Sequence, residues 1–120
     1  MNNLKLCESD YRFMSLVWDN EPLSSKALVD LCAEHLGWKK STTYTVLKKM
    51  TEKGFAVNES STVSSCVKKE DVQKSASEHF VEHTFQGSLP HFLTAFFQGK
   101  KISEKEADEL KRLIDGYKEV

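Results

Sequence analysis

The segment WKKSTTYTVLKKMTEKGFAV, residues 38–57, decides the fold of this 120-residue chain. Its apolar side chains recur at the spacing of one face of an α-helix: Val46, Leu47 and Met50. Ser41 is a suitable N-cap, and Gly54 follows as a stop signal. The segment therefore predicts a helix that begins after Ser41 and ends at Lys53, and a change of structure follows it.

Two helices are predicted before this segment and a β-hairpin after it. The first spans residues 8–20 and ends at an Asn-Glu-Pro break, and the second is capped by Ser24 and stops at Gly37. After Gly54, the stretches FAVNE and VSSCVKK are typical of short strands around the polar turn ESST at 59–62. Three helices followed by a hairpin are the order of a winged helix-turn-helix domain, although any small α+β domain can share that order.

Beyond the hairpin the chain is predicted to be helical. The stretch GSLP at 87–90 interrupts this pattern, and Ser103 with Glu106 forms a capping box for the last helix. The predicted fold class is mainly α with a small β-hairpin wing. We expect a winged helix-turn-helix DNA-binding domain at residues 1–69 and a C-terminal helical dimerisation region at residues 70–120.

Aromatic residues are concentrated in the C-terminal part, which holds five of the seven phenylalanines. About fifty residues cannot easily bury so many rings in a core of their own, and a second copy of the chain is the simplest partner. We therefore expect a homodimer. Its interface is predicted to include Val72, Ala76, Phe80, Phe85, Leu89, Phe92, Leu93, Phe96, Phe97, Leu110, Leu113, Ile114 and Tyr117.

Lysine is concentrated in residues 38–57, although the whole chain has a net charge of −1. This segment contains five lysines and one acid, and four hydroxyl side chains and a tyrosine stand between the two lysine pairs. Side chains near the start of a recognition helix reach base edges, while hydroxyls and lysines bind phosphates. A solvated lysine face is the alternative interpretation, and composition alone weighs the two equally.

The order of these motifs resembles the penicillinase and methicillin-resistance repressor family, which also includes copper-responsive repressors. The resemblance is carried by ESDYRFMSLVWD at 8–19, LSSKAL at 23–28 and WKKSTTYTVLKKMTEKGF at 38–55. It continues through FQGSLPHFLTAFFQGKKIS at 85–103 and the ExxxLxxL pattern of the last helix. The similarity covers nearly the whole chain.

The resemblance implies a homodimeric transcriptional repressor that binds a (pseudo)palindromic double-stranded DNA operator. The third helix and the wing would face the operator. The expected DNA-binding residues are Lys39, Lys40, Ser41, Thr42, Thr43, Tyr44, Thr45, Lys48, Lys49, Ser60, Ser61 and Thr62. The wing turn lacks the glycine and basic residues that are common in the family, so we expect it to hold phosphate weakly, through hydroxyls. No cofactor is predicted.

Two modes of induction known in the family differ in how well they match this chain. In antibiotic-responsive members, a sensor-triggered protease cuts an Asn-Phe bond in the dimerisation tail, and Ala95–Phe96 lies at the corresponding place. Phe96 matches and Ala95 does not, so the resemblance alone does not establish a sensor protease as a partner. Copper-responsive members end in a cysteine-rich metal hook, and no cysteine follows Cys66 here.

Other functional classes have less support in the sequence. His79 and His83 have a spacing that can hold a divalent metal, but no third protein ligand is evident, and no metal site is predicted. No nucleophile–base pair, phosphate-binding glycine loop or paired carboxylate indicates an enzyme. No apolar run approaches the roughly 18 residues of a membrane span, so a cytoplasmic location without a membrane partner is expected. The alternatives are a winged-helix protein-interaction module that uses the phenylalanine-rich tail, and a metal-responsive regulator.

Overall fold

The computed structural model describes residues 4–119, which form helices and one small antiparallel sheet. The helices are α1 (Glu8–Asn20), α2 (Ser25–Leu36), α3 (Lys40–Glu52), α4 (Lys69–Phe85), α5 (Leu89–Phe97) and α6 (Glu104–Tyr117). The strands are β1 (Leu23–Ser24), β2 (Ala56–Glu59) and β3 (Thr62–Ser65). The predicted fold class, a mainly α chain with a winged helix-turn-helix order, is confirmed.

Local capping explains where α2 begins and ends. The side chain of Ser24 accepts a hydrogen bond from the Ala27 backbone N–H at 3.0 Å, which starts α2 as predicted. The helix stops at Gly37, whose φ of 68° is the left-handed conformation that favours glycine. This stop leaves only a short connection before α3, so α2 and α3 form the helix-turn-helix pair.

The predicted start of α3 is wrong by two residues. Lys39 occupies the N-cap position with an extended backbone, and its carbonyl accepts the Thr43 N–H at 3.1 Å. Ser41 therefore lies inside the first turn and does not cap the helix. The short connection causes this difference, because the chain re-enters helical geometry almost immediately after Gly37.

The hairpin is joined by a strand that the sequence analysis missed. β3 pairs with β2 on one side and with β1 on the other, so the sheet order is β1-β3-β2. In this register Val63 of β3 lies opposite both Asn58 and Leu23. A two-residue strand has no period that could reveal it, and Thr62, which was expected in the turn, begins β3.

One hydrophobic core joins the first three helices, the sheet and the start of α4. Its fully or nearly buried members include Phe13, Met14, Val17, Leu28, Cys32, Leu47, Met50, Phe55, Val63 and Val72. The expectation that Val72 forms part of a dimer interface is therefore wrong. Its side chain is 2 % exposed because the first turns of α4 close the core of the winged-helix domain.

The chain divides into two compact units, one ending at His79 and one beginning at Phe80. The predicted domain boundary, between residues 69 and 70, lies ten residues earlier, at the start of α4. In the second unit, Ser103 accepts the Glu106 N–H at 3.1 Å, which confirms the predicted start of the last helix. Within residues 4–119, no helix has both the length and the apolar character needed to cross a bilayer.

Candidate nucleic-acid interface

The third helix separates its side chains into a buried and an exposed face. Thr43, Leu47 and Met50 are at most 3 % exposed and pack in the core. The opposite face carries exposed polar side chains: Lys40, Ser41, Thr42, Thr45, Lys48, Lys49 and Glu52. Hydroxyls and lysines thus form a row along α3 that is open to a ligand.

Thr43 was expected to contact DNA, and this expectation is wrong. The side chain is fully buried, and its Oγ1 donates a hydrogen bond to the Lys39 carbonyl at 3.3 Å. Thr43 precedes Leu47 by four residues, so it shares the core face, and this spacing could have indicated its burial. Thr43 also lies beside Cys32 of α2. Burial raises the pKa of the Cys32 thiol, and a hydrogen bond with Thr43 partly opposes that rise.

The start of α3 has the features of an anion-binding surface. The first N–H groups of a helix have no partner within the helix, and they lie at the positive end of its dipole. Among the residues that the structure describes, the hydroxyls of Ser41 and Thr42 make no hydrogen bond to another protein group. Thr45 differs, since its Oγ1 donates to the Ser41 carbonyl at 2.9 Å. Two free hydroxyls therefore lie beside the free N–H groups of the first turn.

Tyr44 lies at the edge of this surface and leans toward the start of α2. Its side chain is 38 % exposed, and its hydroxyl is 3.5 Å from Ser25 Oγ, the outer limit of a hydrogen bond. The Lys40 ammonium lies 6.0 Å from the centre of the tyrosine ring. The ring is therefore partly open to solvent at the edge of this surface, while its hydroxyl is directed at Ser25.

The two central lysines of α3 have different surroundings. Lys48 borders a groove of about 460 Å³ between α3 and β2, together with Thr51 and Asn58. Lys49 lies on the side of α1, where its Nζ is 2.7 Å from Oδ2 of Asp10. The hydrogen bond and the charge of Asp10 raise the pKa of the Lys49 ammonium. Lys48 is thus available for a ligand, whereas Lys49 already has an anionic partner.

Asp10 is a functional candidate that the sequence analysis missed. Its side chain is only 5 % exposed, although a carboxylate is rarely buried without a partner. The signal was present in the sequence, because Asp10 precedes Phe13, Met14 and Val17 by three, four and seven residues and so lies on the apolar face of α1.

The wing is a tight turn fixed to the helix-turn-helix. Ser60 and Ser61 have φ values of 51° and 64°, a left-handed pair that matches a two-residue hairpin turn. The Ser25 N–H donates to the Ser61 carbonyl at 2.8 Å, which links the turn to the first residue of α2. The side chains of Ser60, Ser61 and Thr62 are exposed and offer hydroxyls without positive charge.

The second unit exposes a connected cluster of phenylalanines, as the composition suggested. Centroid distances of 5.5–6.0 Å connect the rings of Phe80, Phe85, Phe92, Phe96 and Phe97. No side chain of α5 or α6 is buried. The other large apolar side chains exposed in the C-terminal part include Leu89, Leu113, Ile114 and Tyr117. This unpaired apolar surface is where a partner would bind.

The weaker candidate sites are placed as follows. The Ala95–Phe96 bond lies within α5, so a protease could bind it in extended form only after that turn opened. His79 and His83 are one turn apart on α4. Across residues 4–119, no group of three His, Cys, Asp or Glu side chains could hold a metal ion.

Comparison with known proteins agrees with the geometry. The chain is similar to an uncharacterized 16.5 kDa protein in the ptsI 3' region of Latilactobacillus sakei. The two are 22 % identical over 117 residues, which cover 94 % of this chain and 80 % of that protein. The family model described as penicillinase repressor matches residues 6–116. The chain belongs to the penicillinase repressor family, whose members are transcriptional regulators of the winged-helix type and not enzymes.

Proposed function

We propose that this protein is a homodimeric transcriptional repressor that binds a palindromic DNA operator through α3. The observation that carries the proposal is the exposed face of α3. Within residues 4–119, the hydroxyls of Ser41 and Thr42 at its start make no hydrogen bond, and Lys48 at its middle forms no ion pair. In a winged-helix domain, this helix enters the major groove and its first residues reach base edges.

The residues of this surface have different roles in the proposal. Ser41 and Thr42 lie on the first turn, where hydroxyls can bond to base edges or to the flanking phosphates. Lys39, Lys40 and Lys48 supply charge for the DNA backbone, so they contribute affinity that depends on salt. The wing adds hydroxyl contacts through Ser60 and Ser61.

Dimerisation completes the mechanism. One winged-helix domain makes few phosphate contacts, and linking two domains raises the affinity of both for adjacent half-sites. The phenylalanine cluster of the second unit supplies an apolar surface for such an interface. A two-fold dimer requires an operator with inverted half-sites, separated by about 10 base pairs or a multiple of that spacing.

The proposal is tested by selecting duplexes from a random pool with the full-length protein. We expect the selected duplexes to share an inverted repeat, and affinity for them to fall steeply as salt rises from about 50 to 200 mM. Ser41→Ala and Thr42→Ala should each lower the preference for the selected duplex over a scrambled one by about tenfold or more where a base contact is lost. Lys111→Gln, a change of an exposed lysine on α6, is the control and should leave the preference unchanged.

A second candidate function rests on the exposed phenylalanines. A protein-interaction module would use this surface to bind a different protein, and its affinity would change little with salt because the contact is apolar. Light scattering separates the two readings. A stable dimer whose DNA binding depends on salt supports the repressor, whereas a monomer without duplex preference supports the module.

A further inference from the structure

The buried carboxylate of Asp10 is the one ionised group of α1 that faces the core. Its Oδ2 accepts a hydrogen bond from Lys49 Nζ at 2.7 Å, so the pair joins α1 to the middle of α3. Within residues 4–119, Lys49 is the cation that forms an ion pair with this carboxylate. Removing a cationic partner from a buried carboxylate is strongly unfavourable. The ion pair therefore holds α3 against α1 and keeps the Lys49 side chain on the side of α1.

Lys48 and Lys49 provide a natural comparison. Adjacent residues of an α-helix point about 100° apart, and here they lie on the sides of β2 and α1 respectively. Lys48 has no ion-pair partner within residues 4–119, so it can approach a phosphate without losing an existing contact. Lys49 would have to leave Asp10 uncompensated, and an exposed contact to a phosphate in water does not offset that loss.

We propose that Asp10 is a positioning residue for DNA binding that holds Lys49 against α1 and keeps it away from the DNA backbone. This inference rests on the proposed function and adds a division between the two central lysines. Lys48 contacts phosphate, while Lys49 fixes α3. This arrangement favours selectivity. A lysine that does not contact the DNA backbone adds nothing to the affinity for random DNA, whereas the contacts to bases are kept.

The change Asp10→Asn separates these roles, because it removes the buried charge and releases Lys49. The freed ammonium should add a phosphate contact on each protomer. The slope of log affinity against log salt should then steepen by up to about 0.9 per added contact, or about 1.8 for a dimer. Affinity for scrambled duplex should rise, and the preference for the selected duplex should fall.

Two further variants of the full-length protein complete the test. Lys48→Gln should flatten the salt slope by about 1.8 for the dimer. The double change Asp10→Asn with Lys49→Gln keeps the net charge of the protein and a polar contact at the same place. It should leave the salt slope as in the wild type. These slopes are measured by fluorescence anisotropy on the selected and the scrambled duplex.

Thermal melts of the variants show whether a changed salt slope results from misfolding. Lys49→Gln alone should melt below the double variant, because only the single change strands the Asp10 charge. The reverse order would overturn the proposal, as would a double variant whose slope flattens like that of Lys48→Gln, or an Asp10→Asn protein with the wild-type slope. A folded wild-type dimer that binds no duplex would instead refute the proposed function, and this inference with it.

Discussion

Replacing Phe96 by alanine tests the proposed dimer most directly. Its side chain is 51 % exposed in the single chain, so of roughly 200 Å² of phenylalanine surface about 100 Å² remains open to water. Burying that area in an interface stabilises by about 2.5 kcal/mol at about 25 cal/mol per Å². Alanine keeps part of the contact, so the loss is about 2 kcal/mol per copy. A symmetric dimer carries the change twice and loses about 4 kcal/mol.

A loss of that size raises the dimer Kd by about a thousandfold. Sedimentation equilibrium over a dilution series measures this change, and operator affinity should fall in parallel. Phe96→Leu is the matched control, since it keeps most of the apolar area and should raise Kd by no more than about tenfold. In the wild type the Lys100 ammonium lies 4.2 Å from the centre of the Phe96 ring. Both variants lose this cation–π contact, so the control also accounts for it.

Far-UV circular dichroism should be the same for all three proteins, because Phe96 belongs to no buried core. An alanine variant with the wild-type Kd would refute the placement of Phe96 in the interface. A wild-type protein that is monomeric at tens of micromolar would refute the dimer itself.

Thr43→Ala should lower the free energy of unfolding by about 1–2 kcal/mol, because the side chain is buried. Thr43→Val has a similar shape and loses only the hydroxyl, so it should keep the wild-type preference for the selected duplex. Denaturant titration and anisotropy measure the two effects, and a Thr43→Val protein with lost base preference would contradict the burial argument. The pKa of Lys49 is raised by the hydrogen bond and charge of Asp10, so this stabilisation is fully present below about pH 10.5 and is lost as pH rises through the higher folded value. Thermal melts above that pH should show the wild type losing stability faster than the Asp10→Asn, Lys49→Gln protein, and parallel losses would argue against the pair. A fragment ending at His79 should unfold cooperatively and bind operator weakly. A fragment ending at Lys69 lacks Val72, the α4 side chain that closes the core, and should be less stable by about 1.5–3 kcal/mol. Equal stability of the two fragments by denaturant titration would contradict that role of α4.

Local signals in the sequence were sufficient for most of the architecture. Capping by Ser24 and Ser103 and the stop at Gly37 are interactions within a few residues, so they can be recognised without knowledge of the rest of the chain. The excess of phenylalanine after residue 70 likewise predicted an apolar surface without a core of its own, and the structure leaves those rings partly exposed. The resemblance to the repressor family added the function, which periodicity alone could not supply.

Tertiary structure decided which polar side chains of α3 are available to bind a ligand. Thr43 and Lys49 both stand among hydroxyls and lysines in the sequence, yet one is buried and the other is paired with Asp10, 39 positions earlier in the chain. Val72 likewise belongs to the core of the first unit and not to a dimer interface. The physical reason is common to all three. Burial and ion pairing depend on which surfaces meet when distant elements pack, whereas helix periodicity and capping depend only on neighbours along the chain.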